Sequence, residues 1–227
     1  MKRILLATAL FTLPLAGANA IQIIGFGETS SSTGITGTET SPGVSTHLAI
    51  TDDPITITQI ELGLTTPVGA FMQLSADSTD AAVPVGVSGI LQHYSGTFEI
   101  TSGIGDTGTN YLSGTFSDAA FGINGGSELS VNIASPPDTL TMTSDLGLAT
   151  FPPSAFALSL SSLAPALSID TVGGTEPGTI APFNAFFTGD ANASVPVGNA
   201  SVPEPASVTI LVAGLIGLGL VLRRRAG

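Results

Sequence analysis

The chain has 227 residues, with 17 Asp and Glu against five Lys and Arg, two His, no Cys and no Trp. A formal charge of −12 works against nucleic acid and anionic lipid headgroups as partners. The lack of cysteine excludes a disulfide framework and a thiolate zinc site. All five basic residues sit near the two ends, as Lys2, Arg3 and Arg223 to Arg225, while all 17 acids lie between them, 16 of them before residue 202. The middle of the chain therefore cannot form a Lys or Arg salt bridge of its own, and its attractive partners are cations.

Lys2 and Arg3 form a basic start, and residues 4–15 an apolar run interrupted late by Pro14. Ala18-Asn19-Ala20 then presents small residues at both positions a signal peptidase reads. The pattern predicts a helical signal peptide over 1–20, cleaved after Ala20, and export of the body. The apolar run is too short to favour an uncleaved membrane helix.

From residue 21 to 193 the sequence reads as one secreted all-β domain. It is long enough to bury an adequate core without cross-links. Apolar residues alternate in short segments between Gly, Pro, Asn and Asp, the pattern of an antiparallel β-sandwich or barrel. Strands are predicted at 22–25, 47–51, 55–64, 70–75, 91–100, 111–117, 127–133, 139–143, 155–160 and 183–188. Residues 28–44, rich in Ser, Thr and Gly, read as a long loop. Within 55–64 the apolar phase slips from Ile55 and Ile57 to Ile60, Leu62 and Leu64, so a β-bulge is expected near Thr58-Gln59. Ser95-Gly96-Thr97-Phe98 recurs as Ser113-Gly114-Thr115-Phe116, which reads as two paired strands of one hairpin around the loop 102–110. Asn124-Gly125 is a type I′ turn signal. Residues 194–201 read as a linker.

No catalytic residue is assigned. A Ser–His–acid site would have to use His47 or His93, and no Gly-x-Ser-x-Gly elbow is present. Gly86-Val87-Ser88-Gly89 brings its second glycine one residue early. A strand histidine, part exposed, accounts for each His. Paired carboxylates of the glycosidase kind can be assembled only in space, and a sugar subsite would lack the aromatic faces it stacks on. Calcium is the one cofactor that acids and carbonyls could take, with Asp52, Asp53, Asp77, Asp80 and Asp106 as candidate ligands. An Asp favouring a turn conformation accounts for each of them singly. The loop around Asp106 lacks the spacing of a Gly-Gly-x-Gly-x-Asp calcium turn.

The last 26 residues have three parts in fixed order. Val202-Pro203-Glu204-Pro205 is a stiff, non-helical entry. Residues 206–222 carry no charge and would span roughly 25 Å as a helix, the short end of what crosses a bilayer. Arg223, Arg224 and Arg225 follow and would hold their end at the cytoplasmic face. This tail resembles the PEP-CTERM sorting signal of Gram-negative bacteria. The resemblance covers about the last tenth of the chain. It implies an exosortase as partner, a membrane-embedded transpeptidase-like enzyme that cuts near the Pro-Glu-Pro. It also implies tethering at the inner membrane facing the periplasm, then sorting to the cell surface or extracellular matrix of an exopolysaccharide-producing, biofilm-forming bacterium. On that implication the Asn192 and Asn199 sequons are accidental, and Ala213 with Gly217 is ordinary membrane-helix composition. The expected role is a structural protein of the surface or matrix, with exopolysaccharide as a partner. The alternative is a carbohydrate-active enzyme or carbohydrate-binding module that uses the tail only as an address.

Overall fold

Residues 20–61, 64–85, 89–122, 128–132, 134–147, 152–171 and 178–194 are described in this computed structural model, and among them are thirteen β-strands and no helix. The strands are β1 (Ala20–Glu28), β2 (Ile35–Ser41), β3 (Ser45–Ile60), β4 (Val68–Ser78), β5 (Val83–Val85), β6 (Gly89–Gly103) and β7 (Thr107–Phe121). They continue with β8 (Glu128–Asn132), β9 (Thr139–Thr143), β10 (Pro153–Ala164), β11 (Ile169–Asp170), β12 (Thr179–Ile180) and β13 (Phe183–Ser194).

Eight of them, β1, β3, β4, β6, β7, β8, β10 and β13, each pair antiparallel with the next in chain order. Pairing of β1 with β13 closes the ring, so the body is an up-and-down antiparallel barrel and not a sandwich. Three of the eight staves break and resume as a second strand. β2 continues β1 between β3 and β13, β5 continues β4 along β6, and β9 continues β8 along β7. The hairpin β11–β12 lies in the connection between β10 and β13.

Eight staves leave an interior that side chains can fill, and here they do. Phe98 stacks on Phe156 with ring centroids 4.0 Å apart, Phe116 flanks both, and Phe26 meets Phe187 edge to face. Towards one end Phe121 lies between Tyr94 and Phe183. The glycines of the two Ser-Gly-Thr-Phe copies answer different neighbours: a Cβ on Gly96 would collide with the Ser75 carbonyl and Ala76 of β4. A Cβ on Gly114 would stand 2.8 Å from the Phe98 ring. Outward positions are mostly Ser, Thr, Gln, Asp and Glu, the reverse of a membrane-spanning barrel.

That end is closed by a buried polar network. Gln92, wholly buried, donates from Nε2 to Thr46 Oγ1 (3.0 Å) and Ser78 Oγ (2.9 Å), and its Oε1 accepts the Ile180 N–H of β12 (2.8 Å). Thr46 Oγ1 also bonds the Tyr94 hydroxyl at 2.7 Å. Burial pushes the Tyr94 phenol above its ordinary range, with the Thr46 bond opposing in part. Ala82 N–H donates to Gly178 O, and Ile180 and Thr179 are almost fully buried. The hairpin thus caps the barrel mouth.

Most expected strands are present and longer than expected. Three readings are corrected. Residues 28–44 are not one loop, because β2 occupies 35–41. The segments at 47–51 and 55–64 form a single strand, β3, which ends at Ile60. The strands β5, β11 and β12 were not expected. The bulge near Thr58-Gln59 is present, since Gly25 pairs with Gln59 and Phe26 with Ile57. The paired repeat is present too, with Thr97 opposite Thr115. Ala20 opens β1 opposite Ser194, which closes β13 one residue past the expected edge of the domain. The rest of the expected signal peptide with Ala18, the Asn124-Gly125 turn, the remainder of the linker, Val202 to Pro205, the span 206–222 and Arg223 to Arg225 lie outside the described residues. Among the described residues no helix is long and apolar enough to cross a membrane.

Candidate functional site

On the outer face of β3, β4 and β6 the strand registers place polar side chains in rows. His47, Asp77 and Ser95 stand side by side, then Ala49, Ser75 and Thr97, and next to these Gln73 and Glu99. Above them is an open groove of about 280 Å³. The face continues across β7 and β9 as hydroxyl pairs, with Ser113 on Thr143 (2.9 Å), Thr115 on Thr141 (2.7 Å) and Ser117 on Thr139 (2.6 Å).

One end of the groove is built by a bulge. Between Ile50 and Asp53 the register of β3 on β4 slips, and Asp52 takes a φ of 46°. This conformation is uncommon outside glycine but tolerated by Asp. It carries the Asp52 carboxylate outward, where Oδ1 accepts the Gly105 N–H (2.7 Å) and the Gln73 Nε2–H (2.9 Å). The β6–β7 turn is thereby tied down over the sheet, and Asp106 comes to act on Glu99. Burial raises the Glu99 carboxyl above its ordinary range, and the Asp106 charge adds to this. At the other end His47 Nδ1 lies 2.8 Å from Asp77 Oδ1.

Of the candidate ligands, Asp52, Asp77 and Asp106 share this face, although no three acidic or His side chains among the described residues are grouped to hold a metal ion. Asp53 faces the opposite way, into the barrel, with no exposed surface. Asp80 is exposed in the β4–β5 connection, where its N–H bonds Ser78 Oγ at 3.1 Å. Sequence reasoning missed Glu99 and Gln73. Their outward parity in β6 and β4 was readable, but not the turn that bends over them.

Both histidines pair with an aspartate, His93 with Asp118 at 3.1 Å, yet among the described residues no serine hydroxyl bonds either ring. The residues 86–88 of the incomplete serine elbow lie outside the described residues. Among the described residues the groove offers hydroxyls, one amide, the His47 imidazole and carboxylates, and the Phe98 ring beneath it is buried in the core. That set suits hydrogen bonding to a hydroxyl-rich surface or contact with cations. No family model, curated protein or solved structure matches this chain.

Proposed function

We propose that this protein is exported, sorted by its PEP-CTERM-like tail through an exosortase to the cell surface or extracellular matrix, and serves there as a non-enzymatic structural component in contact with exopolysaccharide. The observation that carries the reading is the ordered tail, with Pro203-Glu204-Pro205, an uncharged segment and Arg223 to Arg225 in sequence. The barrel is consistent with it. Among the described residues the interior is filled by core side chains, and the outer face offers a wide field of hydroxyl groups to a hydrated polymer. In this reading signal peptidase cuts at Ala20, and the tail helix holds the body at the inner membrane until the exosortase acts.

The test is mass spectrometry of the mature protein from an exosortase-bearing host. The expected species begins after Ala20 and lacks Arg223 to Arg225, while Glu204→Ala stays unprocessed. Intact tail recovered from the inner membrane at steady state would sink the proposal. The same material separates the alternative, a carbohydrate-active enzyme, for which Glu99 and Asp106, both lining the groove, are the candidate carboxylates. Release of new sugar ends from exopolysaccharide, lost in Glu99→Gln, would establish the enzyme.

A further inference from the structure

The first stave breaks between β1 and β2, and at the break the half-buried Glu28 and the fully buried Asp53 both lie beside Gly34. Glu28 stands opposite Ile55, so both point to the same side, and Ile55 is buried in the core. Asp53, two residues earlier on β3, shares that inward parity and is the diagonal neighbour of Glu28. Asp53 Oδ1 accepts the Thr33 N–H (2.5 Å), the Thr33 hydroxyl (2.9 Å) and the Gly34 N–H (3.4 Å), anchoring the far side of the loop. Gly34 itself has a φ of 80°, and a Cβ there would collide with Ala185 O and come within 3.4 Å of Glu28 Oε1.

Two buried oxygens, Glu28 Oε1 and Asp53 Oδ2, are left without a partner among the described residues, on carboxylates that both neighbour Gly34. An unpaired buried carboxylate oxygen is costly, and two facing carboxylates more so. No Lys or Arg exists between residues 4 and 222 to neutralise them. A proton shared between the two carboxylates would satisfy both.

We propose that Glu28 and Asp53 share one proton across the break, so that the interrupted stave is latched in acid and carries two uncompensated charges in alkali. In the latched form Glu28 Oε1–H donates to Asp53 Oδ2. The single negative charge remaining is held at Oδ1 by Thr33 and Gly34. Burial, and secondarily the Asp53 charge, push the Glu28 carboxyl up to about 7, while the Phe187 amide pulls it back in part. The other elements packed against Glu28 add no ionisable group. The loop 29–34 is Ser, Thr and Gly, β13 presents Phe187 and Thr188 with Asp190 outward, and β10 has no acid. Inward-facing Glu39 is held at the capped end by Thr179 and Gly43, and Glu99 and Asp52 face outward.

A carboxyl raised in the folded state keeps its proton after the unfolded chain has lost its own. Stability is then full below pH 4.5, falls as pH rises from 4.5 to about 7, and is flat above. Glu28→Gln mimics the protonated form. In thermal unfolding of the purified full-length protein, the variant and the parent should melt together at pH 4.5. By pH 8 the variant should melt several degrees higher. A gap of the same size at both pH values, or none at either, overturns the latch. So does stabilisation by calcium beyond matched sodium that disappears in Glu28→Gln, because the break would then hold a cation. Carbon-13 titration of the Glu28 carboxyl gives an independent readout, and a midpoint near that of a free glutamate also overturns the proposal.

Discussion

Gln92 shows how much a single side chain can organise. Its three polar bonds join β3, β4 and β12, and none of the four groups involved reaches solvent freely. Replacing it with Leu keeps the volume near constant and strands the Ile180 N–H, while Thr46 keeps Tyr94 and Ser78 keeps the Asp80 N–H. A buried group left unpaired costs about 1–3 kcal/mol, so Gln92→Leu should lose roughly 1–3 kcal/mol in urea unfolding. A change below about 0.5 kcal/mol would show that the cap does not depend on this network. The inward parity of Gln92 is legible in the alternation Gln92, Tyr94, Phe98, Ile100. Its partners are not, because they come from residues 14 to 88 positions away. Glu28 is harder still, since beside a Ser- and Thr-rich run it reads as the start of a loop.

At the scale of elements, phase slips in the apolar pattern carried more information than composition. Leu48 and Ile50 are even, Ile55 and Ile57 odd and Ile60 even, which marks two bulges in β3. Only the second was expected, because the first coincides with Asp52-Asp53-Pro54, which reads as a turn between two strands. The strand β2 was missed for a packing reason. Its inward residue Gly37 has no side chain, and the Phe183 ring occupies the space a Cβ would take. The apolar group that fills that site is supplied by β13, so β2 shows little alternation of its own. The first bulge also makes a prediction. Asp52→Gly keeps the positive φ but removes the Gly105 bond that pins the β6–β7 turn to the sheet, together with the Gln73 bond that orients the carboxylate. The Gly105 amide should then exchange with solvent at least about tenfold faster, with global stability changed by only about 1 kcal/mol. Unchanged exchange at Gly105 would mean the turn holds itself in place.

Over the whole molecule, the antiparallel all-β class was legible, but the number of strands and the closure were not. The ring closes where β1 meets β13, the two ends of the body, and no local periodicity distinguishes that pairing from an open sandwich. Charge, by contrast, is a whole-molecule property read directly from the sequence. Sixteen acids lie between residues 4 and 201 with no Lys or Arg among them, so the compact barrel concentrates repulsion that the expanded chain relieves. Screening acts over about 10 Å at 0.1 M salt. Raising sodium chloride from about 10 to about 200 mM, where screening shortens further, should therefore raise the thermal midpoint by several degrees. At matched ionic strength calcium should trace the same curve, because no three acids converge among the described residues. A site with a dissociation constant of about 0.1–1 mM would add roughly 1.4–2.7 kcal/mol at about 10 mM calcium. An excess of that size, lost when Asp52 or Asp106 is neutralised, would place a cation at the groove and replace general screening as the account of how this acidic surface is held together.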